Sequence, residues 1–172
     1  MFVNDAFATI HRGHASNAGI AKYIKTKCIG PLIQNELENI SKFDRYATKP
    51  IVSIIGGAKI ADKITLLKAL MEMSDQVLIG GGMANTFLAA NGIEMGKSLV
   101  ETEMKSLAKT LYSKYKDKII LPIDLTVASE FKDEAGVNVS IDRIPSKMMA
   151  MDLGPKSIKQ FVKVISHAKT IF

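Results

Sequence analysis

Tryptophan is absent from the sequence, and cysteine occurs once, as Cys28. A single cysteine cannot form an internal disulfide, and such a composition is typical of a reducing compartment. Aromatic residues make up only 6% of the chain, and its lysines are spread along it without a dense basic run. Proteins that bind nucleic acids by stacking bases usually interleave basic and aromatic residues. We therefore expect no nucleic-acid partner.

Long apolar runs are also missing. No stretch approaches the roughly 18–20 residues that a membrane-spanning helix needs, and segment 1–8 has neither the basic start nor the apolar core of a secretion signal. We therefore expect a cytoplasmic protein with no membrane partner. The composition, 47% hydrophobic and 23% charged over 172 residues, is that of an ordinary globular protein. The formal charge of +6 favours anionic ligands.

Strand-like and helix-like segments alternate from residue 51 onward. Segment 51–55 is an apolar, mostly β-branched run, typical of a strand buried on both faces, and a helical pattern follows it. Further segments complete the pattern, with strands predicted at 76–79, 119–123 and 137–141 and helices at 83–91, 101–116 and 155–168. This alternation predicts an α/β fold, a Rossmann-like parallel sheet with helices on both faces in three layers, α/β/α.

The first 50 residues and the two ends have a different pattern. A helix is predicted from 29 to 43, and segment 47–50 is predicted to be a linker because the residue before Pro50 disfavours helix. The apolar runs at 2–3 and 170–172 resemble interrupted strands. We therefore expect a fold that is incomplete at both ends.

The most informative segment is 56–63, with the sequence GGAKIADK. Its glycines allow backbone amides to approach an anion at the start of a helix, where the helix dipole favours negative charge. Lys59 and Lys63 are four residues apart and would share one face of a helix, an arrangement that suits a polyphosphate. Asp62 between them would help to hold a metal ion or would cap the helix. The alternative is two solvated lysines at the start of a surface helix.

Two other glycine-rich segments need separate interpretations. In Gly80-Gly81-Gly82 the third glycine of the dinucleotide fingerprint is replaced by Asn85, so NAD binding is not supported. The consecutive glycines indicate a close approach to the backbone, either by a ligand or by tight packing of strand on helix. Segment 92–98 resembles a P-loop but has three residues between its glycines instead of four and follows a helix. We interpret it as a surface loop.

The turn-rich segment 11–14 contains His11, Arg12 and His14. The arginine offers a planar fork that suits a carboxylate or a phosphate, and the histidines would add charge-assisted hydrogen bonds. The alternative is an exposed basic turn. Zinc binding is not favoured, because no cysteine or third histidine lies nearby in the sequence. We interpret Cys28 as a buried structural thiol at the start of an apolar helix.

Five segments taken together resemble the phosphoglycerate kinase family. They are VNDAFATIHRGH at 3–14, IIGGAKIADK at 54–63, IGGGMANTF at 79–87, LPIDLTVASEF at 121–131 and MDLGPKS at 151–157. The resemblance covers essentially the whole chain and implies the middle of a two-domain enzyme. Residues 1–29 would end the N-terminal, phosphoglycerate-binding domain and residues 30–50 would form the interdomain helix and linker. Residues 51–172 would be the first half of the C-terminal nucleotide-binding domain.

The resemblance implies reversible phosphoryl transfer between 1,3-bisphosphoglycerate and ADP, giving 3-phosphoglycerate and ATP, with Mg²⁺ and in a monomer. Arg12, with His11 and His14, would bind phosphoglycerate, and Lys59 would follow the transferred group. Asp62 is similar to an acidic position near the metal, whose main ligand would lie outside this chain. Arg12, Lys59 and Lys63 are the implied catalytic residues. The implied nucleotide-binding residues are Gly57, Ala58, Lys59, Lys63, Gly81, Gly82, Ala150 and Met151. Ala150 stands where the family usually has glycine.

Several segments of the family are not found in this sequence, among them Trp-Asn-Gly-Pro and the Gly-Gly-Gly-Asp loop with the main magnesium ligand. The resemblance therefore implies that this chain alone is inactive. One rival hypothesis is a non-catalytic nucleotide-binding module of Rossmann-like fold. The interrupted strands argue against this hypothesis, because a standalone domain would be expected to complete its sheet. The other is an unrelated oxidoreductase domain, against which the missing third glycine counts.

Overall fold

The computed structural model describes residues 1–132 and 135–172. Contacts between residues divide the chain into two compact units, Met1–Ala47 and Thr48–Phe172. The helix predicted from 29 to 43 belongs to the first unit. The functional division into 1–29, 30–50 and 51–172 stays a prediction.

The first unit contains two short parallel strands and one helix. β1 (Phe2–Asn4) pairs with β2 (Lys27–Ile29), and α1 (Pro31–Tyr46) follows β2 with proline at its first position, where a missing N–H is tolerated. The Asp5 carboxylate accepts the Ile33 N–H at 2.9 Å, so it satisfies one of the free donors at the start of the helix. The predicted helix is confirmed, although it begins and ends slightly later than expected.

The prediction for Cys28 is wrong. The residue lies in the middle of β2 and is exposed, with its Sγ 3.9 Å from the Phe2 carbonyl oxygen. The apolar periodicity that suggested a buried thiol belongs to α1, which begins only at Pro31. All three residues of β2 are exposed in this structure.

The second unit contains the alternating segments. In chain order they are β3 (Ile51–Ile55), α2 (Ile64–Met73), β4 (Gln76–Ile79), α3 (Gly81–Ala90), α4 (Lys105–Lys114), β5 (Ile119–Ile120), β6 (Asp124–Ala128), β7 (Val137–Ser140), β8 (Met149–Leu153), α5 (Pro155–Ser166) and β9 (Thr170–Ile171). None of the helices among the described residues is long and apolar enough to cross a membrane.

A parallel sheet forms the centre of this unit, with its strands in the order β5-β4-β3-β9. Val77 and Ile79 of β4 face a core built with α2, α3 and α4. Leu78, between them, packs on the opposite face against Phe161 of α5. Side chains alternate between the two faces of a strand, so helices cover both faces of the sheet. The predicted three-layer α/β arrangement is confirmed.

A second, antiparallel sheet of β7, β6 and β8 was not predicted, apart from the strand at 137–141. Leu125 and Val127 of β6 bury their side chains against Leu88 of α3, together with Met95 and Ile144. Segment 121–131 contains proline, and its apolar and polar residues do not alternate regularly. Sequence periodicity therefore does not predict β6. This small sheet lies beside α3 and forms one wall of the site described below.

The buried Asp124 connects β6 to the start of α5. Its carboxylate accepts the N–H groups of Lys156 at 3.0 Å and Ser157 at 2.7 Å, and the Ser157 hydroxyl lies 2.7 Å from it. Burial opposes ionisation of this carboxyl, but the hydrogen bonds from Ser157 and Lys156 outweigh it and lower the pKa of Asp124. Gly154 leaves room for the contact, since a Cβ there would lie 2.3 Å from the Asp124 Cγ.

Candidate nucleotide site

Residues 56–63 form the connection between β3 and α2, referred to here as the lysine loop. Residues 61–63 form a single 3₁₀ turn, and α2 begins only at Ile64. The prediction that Lys59 and Lys63 share one face of a helix is therefore wrong. The physical reason is that Ile60 buries its side chain completely in the core, so the backbone must turn inward before the helix begins. Lys59 is exposed.

Lys63 folds back over the glycines of the lysine loop. Its Nζ donates to the Gly56 carbonyl oxygen at 3.3 Å, and a Cβ placed on Gly57 would lie 2.5 Å from the same Nζ. Gly57 has φ +131°, a conformation that other residues rarely adopt. The ammonium group of Lys63 therefore lies over the backbone that follows β3.

The first turn of α3 packs against this backbone. A Cβ on Gly81 would lie 3.2 Å from the Gly57 nitrogen, and one on Gly82 would lie 3.2 Å from the Ala58 Cα. Met83 donates its N–H to the Gly57 carbonyl oxygen at 2.8 Å. The consecutive glycines thus serve tight packing of the lysine loop on the helix. α3 begins at Gly81, two residues earlier than predicted.

Two neighbouring cavities lie between the start of α3 and β8. Their linings share Gly82, Asn85, Ala150 and Met151. Gly81 lines the first cavity and Ala58 the second. The structure therefore brings together most of the residues implied for the nucleotide. The Lys63 ammonium lies next to Gly57, whose backbone packs against Gly81 and Gly82 of the cavity lining. Lys59 does not line either cavity.

Several residues that line the cavities were not expected from the sequence. Asn85 is buried and its Nδ2 donates to the Leu99 carbonyl oxygen at 3.3 Å. Leu99, Phe131 and Met149 supply apolar surface in the second cavity. In the sequence, Asn85 marks only a departure from the dinucleotide fingerprint, and the other three residues belong to no motif.

Glu101 is the main polar group near the lysine loop that no sequence motif marks. Its carboxylate accepts the N–H of Ile60 in the lysine loop and, at 3.4 Å, the N–H of Ala61. An acid at the predicted start of a helix is explained by the helix dipole, so nothing in the local pattern links it to a loop 40 residues away. Only the tertiary contact identifies it.

Asp62, the proposed metal ligand, lies exposed in the 3₁₀ turn between the two lysines. Within residues 1–132 and 135–172 there is no group of three or more histidine, cysteine or acidic residues that would hold a metal ion. Mg²⁺ is often bound through one or two carboxylates together with the phosphates of a substrate. Asp62 therefore does not form a metal site by itself, and a role beside a metal that arrives with a nucleotide stays a prediction.

The predicted acid-binding residues lie in the first unit. His11, Arg12 and His14 are all exposed. The Arg12 N–H donates to the Thr9 carbonyl oxygen at 3.0 Å and closes a turn that contains His11, whereas His14 lies just before a short helical segment, Ala15–Gly19. The buried Asn17 donates to the same oxygen at 2.8 Å and so fixes the turn from below. The structure thus exposes all three side chains, with His11 and Arg12 in the turn that Asn17 braces, and their role stays a prediction.

Comparison with known proteins shows where this arrangement occurs. A family model described as phosphoglycerate kinase matches residues 1–172. The chain belongs to the phosphoglycerate kinase family. It is 46% identical over 177 residues to the phosphoglycerate kinase of Mycoplasma genitalium and 47% identical over 172 residues to that of Staphylococcus carnosus. The match covers 100% and 99% of this chain.

Solved structures of phosphoglycerate kinases have the same fold. The enzyme from Coxiella burnetii is 41% identical and matches 99% of this chain and 45% of its own, with a TM-score of 0.85. The enzyme from Pyrococcus horikoshii gives the same TM-score at 27% identity and is matched over 44% of its length. The chain spans about 43% of the length of the curated phosphoglycerate kinases it matches. The resemblance seen in the sequence is confirmed, and the rival oxidoreductase hypothesis is wrong.

Proposed function

We propose that this chain is the central part of a phosphoglycerate kinase and that the whole protein transfers a phosphoryl group reversibly between 1,3-bisphosphoglycerate and ADP, giving 3-phosphoglycerate and ATP. One observation carries the nucleotide half of the proposal. Ala58, Gly81, Gly82, Ala150 and Met151 line two cavities that share a wall, and the lysine loop packs directly on that wall. We further propose that the protein is a cytoplasmic monomer.

The nucleotide is assigned to the cavities with its base between Gly82 and Met151. Small residues on α3 and apolar side chains from β8 suit the flat, largely apolar face of a base. Its phosphates would point to the lysine loop, where the N-terminus of α3 adds a favourable dipole. Lys63 already lies over Gly57 and would meet the phosphates in the ground state.

Catalysis by this family depends on positioning and on charge, because phosphoryl transfer needs little covalent participation from the protein. We assign Lys59 to the moving phosphoryl group, whose charge in the transition state a loop ammonium can follow. Arg12, with His11 and His14, would bind the anionic three-carbon substrate through a forked contact. Mg²⁺ would supply charge neutralisation when bound with the nucleotide, and Asp62 would be its one ligand from these residues. We expect the 172 residues alone to be inactive, because the remaining donors belong to segments outside them.

The nucleotide assignment can be tested on the chain itself by adding ADP during ¹⁵N–¹H NMR. We expect millimolar ADP to shift the amide signals of residues 57–58, 81–82 and 150–151, with an affinity much weaker than that of a complete phosphoglycerate kinase. NAD⁺ at the same concentration is the control, and it should shift them less. Unchanged signals with ADP, or equal shifts with both ligands, would contradict the assignment.

A further inference from the structure

Glu101 connects two parts of the site that are far apart in the sequence. It lies just before a 3₁₀ turn (Thr102–Met104) that leads into α4, and its side chain extends to the lysine loop. There the carboxylate accepts the Ile60 N–H and, more weakly, the Ala61 N–H. Because the Ile60 side chain is completely buried, both the side chain and the backbone of this residue are held.

Glu101 is itself fixed to α3. Its own N–H donates to the Thr86 hydroxyl at 3.0 Å, and that hydroxyl lies 3.4 Å from the Gly82 carbonyl oxygen, to which it donates. Thr86 is completely buried. A chain of hydrogen bonds thus runs from Gly82, which lines both cavities, through Thr86 and Glu101 to Ile60.

We propose that Glu101 is a positioning residue of the nucleotide site, which holds the lysine loop against α3 and so fixes where Lys59 and Lys63 stand. The inference rests on the function proposed above for that loop. A loop with a glycine at φ +131° has little intrinsic preference for one shape. The Glu101 carboxylate accepts two successive N–H groups of the loop and so favours a single loop conformation. Without this carboxylate, the Ile60 N–H would lose its hydrogen-bond partner next to the core.

The consequence for binding follows from geometry. Small displacements of a positioned group cost large factors in rate, and an ammonium group that moves away from a phosphate loses electrostatic attraction to it. If the lysine loop is no longer held, Lys63 samples positions away from Gly57 and binding of phosphates weakens. Glu101 acts only through the loop and does not itself touch the nucleotide.

Three variants of this chain test the inference. Glu101→Ala removes the acceptor, and Glu101→Gln keeps one oxygen acceptor without the charge. Glu103→Gln is the matched control, because this exposed residue lies in the neighbouring turn and loses the same charge. We would measure the hydrogen exchange of the Ile60 amide without ligand and the ADP affinity from amide shifts.

We expect Glu101→Ala to speed hydrogen exchange at Ile60 and to weaken ADP binding, each by at least about tenfold, because losing a hydrogen bond to a charged group costs that factor or more. Glu101→Gln should fall between Glu101→Ala and the unmodified chain, and Glu103→Gln should match the unmodified chain within about twofold. Unprotected Ile60 in the unmodified chain, or equal ADP affinity in Glu101→Ala, would overturn the inference.

A second control separates positioning from general loss of stability. Phe161→Leu weakens the core on the opposite face of the sheet and leaves the lysine loop untouched. It should lower the unfolding temperature without changing ADP affinity by more than about twofold, and an equal loss of affinity in this variant would overturn the inference. If the unmodified chain itself shows no ADP-dependent shifts, the proposed function fails, an outcome distinct from failure at Glu101 alone.

Discussion

Gly57 has two constraints on it, a left-handed backbone and a neighbouring ammonium group. Gly57→Ala should destabilise the second unit by about 1–3 kcal/mol, because φ +131° is unfavourable for alanine. The new methyl group would also displace the Lys63 Nζ, which lies 2.5 Å from its expected position, so ADP should bind more weakly. Thermal unfolding and an ADP titration measure both effects.

The control for this variant is the neighbouring residue. Gly56→Ala would place its methyl group at an ordinary distance of 3.6 Å from the Gly80 carbonyl oxygen, and it needs no unusual φ. If Gly56→Ala and Gly57→Ala lower stability equally, the backbone argument for Gly57 is wrong.

The two lysines of the lysine loop should differ in what they affect. Lys63→Ala should weaken ADP binding, because this ammonium already lies at the site. Lys59→Ala should leave affinity nearly unchanged and lower kcat, because interactions made only in the transition state appear in the rate constant. Both variants need steady-state kinetics in a phosphoglycerate kinase of full length that contains this segment. An unchanged kcat in Lys59→Ala would refute the assignment.

Asp124 should make stability depend on pH in acid. Its folded-state pKa is lowered, so its contribution is complete above the unfolded-state pKa near 3.8 and is lost as the pH falls through the folded-state value. Asp124→Asn should therefore be less stable at pH 7, and the gap to the unmodified chain should narrow below about pH 3.8. Urea unfolding at pH 7, 5 and 3 measures this gap, and a gap independent of pH would contradict the prediction.

Among the structural elements, those buried on both faces were predictable from the sequence. The apolar, β-branched runs of β3 and β4 predict buried strands, and the apolar residues of the helices that follow them recur at helical spacing. β6 and β8 lack such a run, because β6 mixes polar and small residues with two apolar ones and β8 mixes methionine, alanine and aspartate. The two strands pair in an antiparallel sheet with an irregularity between Thr126 and Val127. Their pairing depends on partners distant in the sequence.

The candidate site was predictable only where a motif marks it. Glycines and lysines identified the lysine loop and the start of α3, and the family resemblance identified Ala150 and Met151. The conformation of the loop was not predictable, because it follows from the burial of Ile60 and from the acceptor supplied by Glu101. Both are tertiary contacts that local pattern does not encode.

The loop 92–98 between α3 and α4 is hydrogen-bonded to β8 and to the residue before it. Lys97 donates its N–H to the Met148 carbonyl oxygen at 2.8 Å, and the Ala150 N–H donates to the Ser98 hydroxyl, also at 2.8 Å. A Cβ on Gly96 would lie 2.5 Å from the Met148 carbonyl oxygen. The loop therefore supports β8, which forms a wall of the site.

Substitution of the two glycines in this loop should separate packing from backbone strain. Both have positive φ, +90° at Gly92 and +55° at Gly96, but a Cβ on Gly92 would meet nothing within 4 Å. Gly92→Ala should cost about 1–2 kcal/mol from strain alone. Gly96→Ala should cost clearly more, because backbone oxygens must also move. Urea unfolding compares them, and equal losses would contradict the packing argument.

At the scale of the whole molecule, the two units would serve different substrates. Arg12 belongs to Met1–Ala47 and the lysine loop to Thr48–Phe172. In a phosphoglycerate kinase of full length, Arg12→Ala should raise the KM for 3-phosphoglycerate and leave that for the nucleotide unchanged. Arg12→Lys should restore only part of the loss, because an ammonium cannot make the forked contact.

The measurement is steady-state kinetics of both variants with each substrate varied separately. Unchanged saturation by 3-phosphoglycerate in Arg12→Ala, or a weaker response to ADP instead, would mean that segment 11–14 is a solvated basic turn.

Asn85 also makes it costly for this fold to acquire a dinucleotide-binding fingerprint. A single change to glycine would complete the dinucleotide fingerprint after β4, but it would remove a buried side chain that donates to Leu99 and would put glycine inside α3, at about 1 kcal/mol. The cavities it lines would widen at the same time. Mutational drift from the proposed nucleotide site towards a redox cofactor would therefore pass through a less stable protein, which purifying selection tends to remove.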